Sequence, residues 1–208
     1  MINANMLRAA VGASFLLLSA ALTPALAQAP AAGSGEYQVG DRLAAPAGGV
    51  VGAFREISWD DLIPAEWNPE AFFADLKLDE LGDNDPRAMD ALQRMREEWD
   101  RAPVVERLAG ERVRIPGFLV PLETSGEQIS EFLLVPYFGA CVHVPPPPAN
   151  QLIHVIPDKP VPAGWNMLPV WVEGVMAVGR VDSEMGVAGY QLRGMGVEEY
   201  VDTEPLPD

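Results

Sequence analysis

Basic side chains are scarce in this chain. Across 208 residues, 14 Lys and Arg stand against 30 Asp and Glu, a formal charge of −16. That balance excludes the basic face that binding to nucleic acid requires, and it opposes an anionic membrane surface. Cysteine occurs once, at Cys141, which excludes a disulfide framework and any Cys-x-x-Cys metal or redox motif. Histidine occurs only at His143 and His154. No apolar run reaches the roughly twenty residues of a membrane helix. Glycine and proline, at 19 and 20, are abundant, and 49% of residues are hydrophobic, with five Trp, seven Phe and four Tyr. Such a composition buries a core and favours short strands and turns over a long helical bundle.

Residues 1–27 read as a cleaved signal peptide. Arg8 precedes an apolar run from Ala9 to Leu22, Pro24 ends it, and Ala25-Leu26-Ala27 has the small-x-small cleavage pattern. No Cys follows, so a lipoprotein acceptor is absent. The expectation is a periplasmic or secreted protein with no stable membrane insertion after cleavage. Residues 28–53 are rich in Ala, Gly and Pro and read as a flexible linker, with order expected from near Phe54. Residues 54–205 are expected to form one domain.

Helical signals occupy about 56–102. Ser58-Trp59-Asp60-Asp61 has capping-box spacing. Asn68-Pro69 and Asp85-Pro86 each place a cap residue before a proline at the first helical position. Phe72, Phe73 and Leu76 form one apolar face. Met89, Leu92, Arg96 and Trp99 form another, which predicts an amphipathic helix after Asp85. Five apolar runs then follow: Arg112–Leu122, Ile129–Tyr137, Gln151–Ile156, Val170–Val181 and Val187–Val201. Ser125-Gly126 and Ser183–Gly186 are turn signals between them. Gly117, Gly174, Gly179 and Gly194 lie inside the runs, where glycine marks bulges or tight bends. The expected fold is α+β, mainly β: a helical segment followed by a small five-stranded OB-like barrel over about 111–201. A flat sheet with two packed helices is the alternative.

One segment stands out. From Ile129 an apolar strand runs into Gly139, then Cys141-Val142-His143, then Pro145–Pro148 and Ala149-Asn150-Gln151. If Cys141 to His143 is extended, thiol and imidazole point to one face. Thiolate and imidazole suit zinc or copper. An imidazole beside a thiol can also create a nucleophile. Tyr137, Glu131, His154 or Asp158 could complete a ligand set. The opposing reading keeps Cys141 as a buried, inert side chain and His154 as a core residue, with the proline loop docking a partner.

Ile57–Pro64, Gly110–Pro121 and above all Phe132–Gln151 resemble the bacterial exported family catalogued as domain of unknown function 3299. The similarity covers roughly residues 54–201. The resemblance singles out Cys141, His143, Pro145–Pro148, Asn150 and Gln151. It implies an association with ABC-type transporter systems and zinc homeostasis, and no established activity. The sequence therefore points to a non-enzymatic exported accessory protein. It would bind zinc or a small ligand at Cys141 and His143, with an interaction scaffold or a thiol enzyme as alternatives.

Overall fold

The computed structural model describes residues 37–46, 48–69 and 85–201. The expected signal peptide, the Phe72–Leu76 face and the last residues of the expected domain, 202–205, lie outside the described residues.

All five apolar runs form strands. Among the described residues, strands β1 (Gly49–Val51) and β2 (Phe54–Glu56) come first, and one α-helix follows, α1 (Pro86–Trp99). Strands β3 (Arg112–Ser125), β4 (Gln128–Val135), β5 (Ile153–Pro157), β6 (Val161–Pro162), β7 (Pro169–Ser183) and β8 (Gly186–Glu199) complete the chain. They build one mixed sheet in the order β1-β2-β3-β7-β8-β5-β4-β6. A further antiparallel pairing of β3 with β4 closes β3, β7, β8, β5 and β4 into a five-strand ring. The β2–β3 and β5–β8 pairs are parallel, and the rest are antiparallel.

Turn chemistry and strand glycines explain this path. The β3–β4 hairpin closes with Ser125 opposite Gln128 and Gly126 at φ +61°. The β7–β8 hairpin closes with Ser183 opposite Gly186, and the Ser183 hydroxyl donates to Gly186 O at 2.7 Å. The β7–β8 register shifts between Glu173 and Gly174 and again between Val178 and Val181, so Gly174 and Gly179 mark the bulges.

Each strand of the ring contributes to one core, through Ile115, Phe132, Val155, Val172, Leu192 and their neighbours. Ile57, Trp59 and Leu62 join it from the N-terminal side. The capping box at Ser58 is present, but it opens only a short 3₁₀ turn, Trp59–Leu62. A second apolar cluster contains Phe118, Val120, Leu133, Val135 and Leu152. Over Ile115–Val120 of β3 and Phe132–Val135 of β4, alternate apolar residues thus face two different cores, as strand alternation requires.

Helix α1 starts as expected, with Asp85 accepting from Arg87 N at 2.9 Å and proline in its first turn. Its expected apolar stripe is corrected: Met89 and Leu92 are exposed, and Ala91 is the buried residue of this helix. No helix among the described residues is long and apolar enough to cross a membrane. Residues 37–46 and 48–53, within the stretch expected to be a linker, supply β1 and a short strap. In that strap Tyr37 and Leu43 pack on the second cluster.

Candidate functional site

Beyond Val135 the chain leaves β4 and curls. The Gly139 carbonyl accepts from the amides of Val142 (3.3 Å), His143 (2.8 Å) and Val144 (3.4 Å). Gly139 has φ +83° and Cys141 has φ +64°. Cys141–His143 is therefore a turn, and the extended path that would align thiol and imidazole is not taken. A non-glycine residue in this left-handed region costs roughly 1–2 kcal/mol, which packing must offset. Cys141 is half-buried against the second apolar cluster, whereas Val142 and His143 are exposed. Burial pushes the Cys141 thiol up to about 12 from its ordinary 9.0. Tyr137 is raised as well, first by burial and then by the nearby Cys141 charge, with Arg42 opposing.

The strap covers this turn. Gly40 N donates to Phe138 O at 3.0 Å, and Phe138 N donates to Asp41 O at 2.9 Å. The Arg42 guanidinium lies 5.6 Å from the centre of the Tyr137 ring. The Tyr37 ring meets Phe118 edge-on at 5.1 Å and stacks on Phe138 at 6.1 Å. Sequence reasoning missed Tyr37 and Arg42 because the Ala, Gly and Pro around them carry no periodic signal.

The tetraproline lies along the body. Pro145 is exposed, Pro147 is buried, and Pro146 fills the space a side chain on Gly186 would need. Asn150 and Gln151 follow, both buried, and their side-chain amides tie the loop to the body. Asn150 Nδ2 donates to Pro103 O (3.0 Å), and Gln151 Nε2 donates to Trp59 O (2.9 Å). Tyr190 extends the network: its hydroxyl donates to Leu62 O (2.8 Å) and accepts from Val105 N (2.6 Å). Together these bonds pin the 59–62 turn and the 103–105 segment to the ring.

His154 and Glu131 do pair, but with each other. His154 Nε2 lies 2.5 Å from Glu131 Oε1, and His154 is buried on β5. Asp158 instead sits 3.6 Å from Arg193. Among the described residues, no three His, Cys, Asp or Glu side chains gather closely enough to hold a metal ion. A zinc shell needs three or four ligands, and its sulfur must be thiolate. Glu131 and His154 are engaged with each other and Asp158 with Arg193, so among the described residues no group of three His, Cys, Asp or Glu completes such a shell around Cys141.

The sequence model of a family described as proteins of unknown function (DUF3299) matches residues 59–199. The chain belongs to the DUF3299 family. A crystal structure of another DUF3299 family protein, from Pseudomonas aeruginosa PAO1, is similar at 38% identity with a TM-score of 0.58. The match covers 74% of this chain and 100% of that one. No curated protein matches the chain. The DUF3299 match begins at Trp59, so the strap lies outside it.

Proposed function

We propose that this DUF3299 protein is an exported, non-enzymatic accessory protein that acts as an interaction scaffold, with the loop from Tyr137 to Pro148 as its docking element. One observation carries the reading: Cys141 is packed against an apolar cluster, while Val142, His143 and Pro145 beside it stand exposed. Burial also pushes the thiol pKa up to about 12, which disfavours it as a nucleophile. What the loop offers a partner is shape: exposed Val142, His143 and Pro145 on a proline-stiffened frame. The leader-like residues 1–27 support a periplasmic or secreted location. An ABC-type transporter component is the partner class that the family resemblance suggests. The five-strand ring favours an OB-like barrel as the frame. Zinc binding through Cys141 and His143 has less support, because among the described residues no third His, Cys, Asp or Glu gathers with them.

The test is affinity purification of the tagged protein from its native host, comparing wild type with Val142→Asp and Pro145→Gly. Both positions are exposed, so folding should survive. A stoichiometric partner seen with wild type should fall at least about tenfold in the Val142→Asp variant, as for an interface anchor. Equal recovery with both variants contradicts the reading. So does one equivalent of zinc that Cys141→Ser abolishes.

A further inference from the structure

A second polar centre lies on the outer face of β7, β8 and β5. A groove of about 350 Å³ is lined there by His154, Ile156, Val175, Ala177, Gln191 and Arg193. Cross-strand register sets these residues in two rows. Gln191 stands opposite both Ala177 and His154, and Arg193 stands opposite both Val175 and Ile156. Ile156 and Ala177 are exposed. The volume is at the lower end for a small-molecule site.

His154 distinguishes this groove from an ordinary sheet surface. Its side chain is only 7% exposed, and Nε2 meets Glu131 Oε1 at 2.5 Å. Its Nδ1 is buried and has no hydrogen-bond partner. With the Glu131 carboxylate accepting, Nε2 carries the proton, and Nδ1 of the neutral ring is an acceptor. A carboxylate on one ring nitrogen fixes the tautomer and the orientation of the ring, and so the role of the other nitrogen. An unpaired buried acceptor is costly, and a ligand N–H that reaches it removes the cost.

The flanking charges select the ligand's class. Glu131 stands behind His154, while Arg193 is 82% exposed and only loosely held by Asp158 at 3.6 Å. A cation would be repelled by Arg193 and an anion by Glu131, so a neutral dipolar group fits best. Nδ1 needs a donor, and Arg193 needs an acceptor. A secondary or primary amide supplies both, and Ile156, Val175 and Ala177 take an aliphatic side chain.

We propose that this groove binds a small neutral amide with an aliphatic side chain, peptide-like in chemistry, its N–H on His154 Nδ1 and its carbonyl on Arg193. The site is separate from the Cys141 loop and stands or falls independently of the scaffold reading.

The chain has only two histidines, so imidazole nitrogen NMR of the full-length protein can resolve them. N-acetyl-L-leucinamide is the probe. The expected result is a saturable shift at His154 Nδ1 with His143 unmoved. Affinity should fall about tenfold in Arg193→Gln, from loss of the charged donor, and binding should vanish in Ala177→Phe, which fills the groove. Both positions are exposed, so the variants should fold. The proposal is overturned by no saturable shift, by a parallel shift at His143, by unchanged affinity in Ala177→Phe, or by tighter binding of isovalerate than of the amide.

Discussion

Replacing Gly174 by alanine is expected to destabilise the protein by at least about 3 kcal/mol, at the upper end of overpacking costs. A Cβ at this position would lie 2.0 Å from the Arg193 carbonyl oxygen and 2.8 Å from its carbon. Both are backbone atoms of the paired strand, so no side-chain rotation relieves the clash. Gly174 also sits at the register shift that bends β7 against β8. The strand must separate there, and β7–β8 is one seam of the five-strand ring. For a chain of this size, 3 kcal/mol lowers the midpoint of thermal unfolding by roughly 6–12 °C. Gly164, where an added Cβ meets nothing within 4 Å, serves as control, and Gly164→Ala should move the midpoint by little. A Gly174→Ala midpoint within about 2 °C of wild type contradicts the bulge argument.

Tyr190→Phe should cost about 2–4 kcal/mol. Tyr190 is fully buried, and its hydroxyl serves two backbone groups from distant parts of the chain. Phenylalanine preserves the ring packing but strands the Val105 N–H and the Leu62 C=O in the interior. Each stranded group carries a desolvation cost of about 1–3 kcal/mol. The effect should be local as well as global. Hydrogen exchange at Val105, and at Ile63 N, which bonds back to Asp60 O, should quicken before exchange in β3 or β7 does. A loss under about 0.5 kcal/mol, with uniform exchange, means that the hydroxyl is no tie between segments.

These two residues show what a linear reading can carry. The strands are legible because each alternates or runs apolar between turn residues, and glycine inside a strand has few uses other than a bulge. Gly174 is therefore visible from its position alone. Tyr190 is not, because its partners at Leu62 and Val105 are 128 and 85 residues away and are backbone atoms, which have no sequence signature. The same limit governs the Cys141 segment. The residues are conspicuous as Cys-x-His beside four prolines, but an extended path is the wrong local geometry. Gly139 and a left-handed Cys141 turn the chain around one carbonyl, and no residue between them demands that conformation. Asn150 and Gln151, adjacent to the prolines, have the chemistry of ligands and are buried ties to Pro103 and Trp59. In α1 the start signal is legible because a capping Asp before Pro acts locally. Met89 and Leu92 have apolar spacing that does not fix which side meets a core.

The Cys141 thiol is the most direct probe of the account. Its folded pKa lies above the unfolded value, so the stability it lends is present in full below about pH 9 and is lost as pH rises toward 12. Cys141→Ala should flatten stability over that window. The decisive measurement is the rate of Cys141 alkylation by iodoacetamide in the native protein from about pH 7 to pH 10, beside a urea-unfolded control. The account predicts a native rate lower by a hundredfold or more on the order-of-magnitude scale of the thiolate fractions, with no inflection in that range. A native inflection at or below pH 9, with rates matching the unfolded chain, would show an accessible thiolate. The Cys141 loop would then be a reactive or metal-binding site instead of a docking element.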